Sequence, residues 1–94
     1  MLIERAELTV KAGAEDEFHT AITHKGVPLL QSVDGVLSVQ LGRGVENPSK
    51  FMLLVGWKSM DAHVAYRGTP KSLELREIIG HYLTSAAMEH FEVW

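Results

Sequence analysis

The stretch Phe51-Met52-Leu53-Leu54-Val55-Gly56-Trp57 restricts this chain most, because six of its seven residues are apolar and none alternates with a polar one. A strand with one wet face alternates, whereas a strand covered on both faces reads as an unbroken apolar run. Each face of the sheet that holds this strand must therefore be covered. One layer can come from the chain's own helices. A chain of 94 residues has little else to spare, so the other cover is expected to be a second copy. The run ends in a large aromatic and is followed by Lys58-Ser59-Met60-Asp61, a helix start, the kind of strand end where a small-ligand cavity can open.

The rest of the chain arranges itself around that strand. Leu2 to Val10 alternates, with Leu2, Ala6, Leu8 and Val10 on one parity and Ile3, Arg5, Glu7 and Thr9 on the other. Glu4 is the odd member, a carboxylate on the apolar side. From Ala14 to about Val33 the spacing predicts a helix whose stripe is Phe18, Ile22, Leu29 and Val33, widened by Ala21 and Leu30. Glu15, Asp16 and Glu17 suit its N-terminal turn. Pro28 lacks a backbone donor, so a kink or short break is expected between Lys25 and Pro28, and Asp34-Gly35 ends the helix. A strand from Val36 to Gly42 follows, then a turn-rich connection, Arg43 to Ser49, into the Phe51–Trp57 strand. Ser59 caps a helix from Met60 to about Arg67, Gly68-Thr69-Pro70 breaks it, and a further helix runs from about Lys71 to Leu83. Ala86 to Trp94 alternates as a closing strand. The order β-α-β-β-α-β is the ferredoxin-like arrangement: one α+β domain, residues 1–94, with a four-stranded antiparallel sheet and both helical segments on one face.

Composition removes several function classes. The chain is 46% hydrophobic and 22% charged, as folded domains are, and its net charge of -3 supplies no basic footprint for nucleic acid. With no cysteine there is no disulfide, thiol nucleophile or thiolate metal site. Nothing at the start, Met1-Leu2-Ile3-Glu4-Arg5, resembles a signal peptide, and no apolar run approaches a membrane span, so a cytoplasmic protein without membrane partners is expected. Gly42-Arg43-Gly44 precedes a hairpin rather than a helix, which makes it turn chemistry and not a phosphate cradle.

The candidate chemistry lies in the histidines and their neighbours. His19 and His24 project about 140° apart at 3.6 residues per turn and cannot share a metal, and no other pair has ligand spacing. No metal or cofactor is expected. His63 and Arg67 share a helix face just after Trp57; His63 reads either as a packing residue or as a proton acceptor at a pocket mouth. Tyr66 reads as a core filler with its hydroxyl at the edge, and Arg76 as a solvated residue or a clamp for an anionic oxygen. His90 lies on the same parity as Met88 and Trp94, on a face expected to be partly buried, with Glu4 a possible partner from another strand. That pair is a proton relay if it lines a cavity and a structural hydrogen bond if it does not. Trp57 and Trp94 are read first as core residues.

Several local patterns line up in order: Asp34-Gly35-Val36, Asn47-Pro48-Ser49-Lys50-Phe51 leading to Trp57, then Ser59, Asp61-Ala62-His63, Tyr66-Arg67, Thr69-Pro70, and Met88-Glu89-His90-Phe91. Together they resemble the antibiotic biosynthesis monooxygenase-like family of dimeric α+β barrels. The resemblance implies a homodimer with a small-molecule pocket between sheet and helices in each protomer. In the oxidising branch it implies cofactor-independent oxidation of a phenolic or quinol-type metabolite, in which a deprotonated, electron-rich substrate activates dioxygen itself. His63, Tyr66, Arg76 and His90 would then supply polar or catalytic groups, and Trp57, Phe91 and Glu4 would bind substrate. Haem-degrading members differ, since this chain has Tyr66 and Arg76 where they carry Trp and His and no asparagine in its first strand. Two alternatives stay open on the same fold: an acid–base isomerase or cyclase, and a non-catalytic ligand-binding dimer.

Overall fold

The computed structural model describes all 94 residues. In chain order the elements are β1 (Leu2–Val10), α1 (Glu15–Ala21), a π-helical turn (Ile22–Gly26), α2 (Val27–Gln31), β2 (Val36–Arg43) and β3 (Lys50–Trp57). Then come α3 (Met60–Tyr66), α4 (Pro70–Ile79), a 3-10 turn (Gly80–Tyr82) and β4 (Leu83–Glu92). The four strands form one antiparallel sheet in the order β2-β3-β1-β4, so β1 and the apolar β3 are central, as the ferredoxin-like reading requires.

Alternation along the central strands separates two faces. Glu4, Ala6, Leu8 and Val10 of β1 and Phe51, Leu53, Val55 and Trp57 of β3 are all buried beneath the helices. Phe18 and Ile22 complete that core with no exposed surface, Phe18 packing on Phe51 with ring centroids 4.8 Å apart. The other face presents Ile3, Arg5, Glu7 and Thr9 beside Lys50, Met52 and Leu54, none of them fully buried. Arg5 bridges Glu7 at 3.2 Å and Glu89 at 3.5 Å across this face.

The first helical segment differs from expectation in how it accommodates Pro28. There is no break: Ala21, Gly26 and Val27 all keep right-handed helical angles. The turn before the proline widens instead, and the Val27 N–H donates to the Ile22 carbonyl five residues back. That turn holds one residue more than an α-turn, so the buried stripe beyond it is displaced by one position. Phe18, Ile22, Gly26, Leu30 and Val33 face the core, and Leu29, which a pure α period would centre, is only half-buried. The last helix stops at Ile79, earlier than expected, and the 3-10 turn brings the chain into β4 at Leu83 rather than Ala86. Trp94, expected in the core, lies beyond β4 and is fully exposed, while Met88 is 53% exposed because β4 is an edge strand with little helix above it.

Candidate active site

Four elements, β1, β3, α3 and β4, deliver the candidate residues to one place under the sheet. In the β1–β4 register Glu4 stands opposite His90, so both side chains point to the helix face. Leu2 pairs with Trp57, which places the indole at the same end of the sheet. Only Lys58 and Ser59 separate β3 from α3, because the Ser59 side chain accepts the Ala62 N–H at 3.1 Å and holds the helix start. One turn later His63 is driven down onto Trp57.

The resulting cluster is close-packed. Trp57 Nε1 donates to Glu4 Oε1 at 2.9 Å, giving a carboxylate that is 7% exposed a fixed donor. His63 Nε2 lies 3.5 Å from the same oxygen. The His63 ring meets Trp57 edge-on at 5.1 Å and His90 at 4.4 Å between centroids, and Tyr66 packs on Trp57 at 5.6 Å. Two enclosed ring nitrogens at this site have no hydrogen-bond partner, His63 Nδ1 and His90 Nε2, while the enclosed Tyr66 hydroxyl lies beside Ser72 of α4. Each such atom costs about 1–3 kcal/mol relative to a satisfied one, so their concentration at one site calls for a ligand or another polar partner.

The electrostatics follow from burial. His63, 3% exposed, has its pKa lowered first by desolvation, helped by His90 and Arg67 and opposed by Glu4. It is held as a neutral imidazole. With the proton on Nε2, the nitrogen facing the carboxylate, Nδ1 is left as an enclosed free base. Desolvation, reinforced by the Glu4 charge, pushes the Tyr66 phenol up, while Ser72 and Arg76 oppose it, so the hydroxyl stays protonated as a donor.

Two cavities open on the helix side. The larger, about 1150 Å³, is a groove between the first helical segment and α4, bordered by Glu17, His24, Glu74 and His81, and shares no residue with the cluster. The smaller, about 630 Å³, runs between α3 and the turn entering β2, lined by Gly35, Lys58, Ser59, Ala62, Tyr66 and Lys71 among others. Tyr66 belongs to both this cleft and the cluster. It lines the 630 Å³ cleft and packs on Trp57.

Of the residues singled out from sequence, Glu4, Trp57, His63, Tyr66 and His90 therefore converge. His63 is not at a pocket mouth: its side chain is buried under α3 and lines neither cavity, whereas Lys58, Tyr66 and Lys71 line the smaller one. Arg76 is exposed on α4, near enough for its charge to reach Tyr66 but outside the cluster. Phe91 pairs with Ile3, so it projects from the opposite face of the sheet, 43% exposed, and does not line a helix-side pocket. The odd carboxylate on the apolar parity of β1 was the sequence signal for the cluster. The contacts of Glu4 with Trp57 and of His63 with His90 cross four elements and had no local signal. Lys58 and Lys71, which line the smaller cleft, likewise had no sequence signal, since isolated lysines are ordinary surface residues.

Fold and cluster together define a small α+β domain with buried acid–base groups beside a ligand-sized cleft. The chain belongs to the antibiotic biosynthesis monooxygenase family, whose model matches residues 1–78. It is 29% identical over 94 residues to the uncharacterised protein YczJ of Bacillus subtilis, with 98% of each chain covered. Among solved structures it is similar to a Bordetella bronchiseptica protein assigned to the same family (TM-score 0.92, 26% identity, 99% of this chain and 96% of that one). It also shares its fold with SnoaB, a cofactor-independent oxygenase from Streptomyces nogalater (TM-score 0.84, 16% identity, 98% and 91% covered). No helix is long and apolar enough to cross a membrane.

Proposed function

We propose that the protein is a homodimeric, cofactor-independent monooxygenase of a small phenolic or quinol-type metabolite. The observation that carries this reading is the convergence of Glu4, Trp57, His63 and His90 around unpartnered His63 Nδ1 and His90 Nε2, with Tyr66 lining the adjacent cleft. A substrate hydroxyl entering from the 630 Å³ cleft would satisfy these atoms, with Tyr66 yielding to admit it. His63 Nδ1 takes the phenolic proton, and the nearby Glu4 carboxylate favours the imidazolium so formed. The electron-rich phenolate then reduces dioxygen directly. For a hydroquinone the balance is hydroquinone plus O2 to hydroxyquinone plus water: one oxygen atom enters the ring, and the other leaves with two hydrogens.

In this reading the dimer is formed through the open face of the sheet, and Phe91 belongs to that interface rather than to the pocket. SnoaB, named as a cofactor-independent oxygenase, supports the choice of reaction on this fold. The test is oxygen uptake with a panel of hydroquinones and anthrone-like phenols. His63→Ala is expected to lower kcat about a hundredfold or more, the usual weight of a general base, with His24→Ala in the outer groove unchanged. Substrate turnover without oxygen uptake, still dependent on His63, would replace the reading with an acid–base isomerase. Binding with no turnover would leave a ligand-binding module.

A further inference from the structure

We propose that Glu4, His63 and His90 together form a binding site for a divalent transition-metal ion, zinc or cobalt in class. One donor atom from each residue lies within 4.8 Å of the other two, although the residues come from β1, α3 and β4 and show no ligand spacing in the sequence. All three sit on the buried side of the sheet, Glu4 and His63 at 7% and 3% exposure and His90 half-buried. A second observation points to a ligand independently: His90 Nε2 is enclosed and has no hydrogen-bond partner. Two imidazoles and one carboxylate suit zinc and its neighbours, and leave a coordination position open. The same set is poor for calcium or magnesium, which prefer oxygen throughout.

The geometry is close to what such an ion needs. Bonds of 2.0–2.1 Å at tetrahedral angles separate donors by about 3.3 Å. His63 Nε2 and Glu4 Oε1 are already 3.5 Å apart. The remaining donor must close by up to about 1.5 Å, a displacement that rotation of an imidazole about its two side-chain torsions supplies. Trp57 Nε1, donating to Glu4 at 2.9 Å, acts as the outer hydrogen bond that orients a ligating carboxylate. Metal binding does not depend on the oxygenase reading. Inhibition does: where that reading holds, an ion on these imidazoles removes the base, and zinc suppresses oxygen uptake.

The test uses the full-length, tag-free protein after chelator treatment, titrated with cobalt(II) alone and followed by its visible absorption, then with zinc(II). The expected result is one cobalt per chain with the intense spectrum of a low-coordinate site, displaced by zinc. Glu4→Gln and His90→Ala should each weaken binding by more than about tenfold, the loss that even an outer hydrogen bond can cause. Glu4→Gln keeps the side-chain volume and an acceptor for Trp57, so it decides the matter if His90→Ala fails to fold. No saturable binding overturns the proposal. So does binding that survives both variants and is lost instead in His24→Ala or His81→Ala. Oxygen uptake by the metal-free protein is scored separately, so failure here leaves the proposed reaction standing.

Discussion

Glu4 is where the side chains of this molecule conflict most. A carboxylate has been placed among Ala6, Leu8 and Val55, and its fixed donor is one indole N–H. Trp57→Phe keeps most of the apolar volume and removes that donor. It is expected to cost at least about 1–3 kcal/mol in urea unfolding, the range for a buried group left unsatisfied. In a Glu4→Gln background the same change should cost less, since no charge is then stranded. An equal cost in both backgrounds would show that packing, not the hydrogen bond, is what Trp57 supplies. His63 gives a pH dependence of definite sign. Its folded pKa is depressed below the ordinary imidazole value of 6.5. Above that value both folded and unfolded states are neutral and the group contributes nothing. As pH falls through 6.5 the unfolded chain takes a proton that the folded one refuses, so stability drops towards acid. Comparing urea midpoints at about pH 7.5 and about pH 5.5, either side of the imidazole range, His63→Gln should show a smaller drop than the parent. Only part of this was legible from residues alone. The misplaced carboxylate of β1 was visible as a break in parity, whereas the burial of His63 depends on how α3 folds back, which parity does not encode.

At the scale of elements, the short helix over the site is held by its first turn. Ser59 caps it, and Gly35 makes room for it: with φ of +90°, a Cβ there would sit 2.6 Å from Ala62 Cβ. Gly13 has the same φ but nothing within 4 Å of a built Cβ. Gly13→Ala should therefore cost only the left-handed strain, about 1–2 kcal/mol. Gly35→Ala adds a backbone-scale clash, so its loss of stability should clearly exceed that of Gly13→Ala, as read by chemical denaturation. Equal losses would mean that α3 can move away freely. The strands were legible because a period of two survives wherever one face is buried, as in Leu2 to Val10. The helices were less so. The π turn at Ile22–Gly26 inserts a residue and passes the core position from Leu29 to Leu30, a shift of register that composition around Pro28 announces only as a disturbance. The edge strand β4 was misjudged at its ends because Tyr82 continues the apolar period of α4 while its backbone has already tightened into a 3-10 turn.

At the scale of the whole molecule, the sheet remains covered on one side only. Ile3, Met52 and Leu54 are incompletely buried there, and Phe91 and Leu37 are 43% and 62% exposed. The proposed dimer makes a definite prediction: sedimentation or light scattering at micromolar protein should give twice the chain mass, and Leu54→Arg, in the middle of that face, should shift it towards monomer. A monomeric parent protein would remove the dimer from the reading. The proposed function rests on the buried cluster taking the proton of a phenol that then reduces dioxygen. The most direct measurement is turnover of a hydroquinone substrate under 18O-labelled dioxygen, with the product analysed by mass spectrometry in the parent protein and in His63→Ala. The prediction is one labelled oxygen in the parent's product and almost no product from the variant. Unlabelled product, or labelled product formed equally fast without His63, would contradict a monooxygenase built on Glu4, Trp57, His63 and His90.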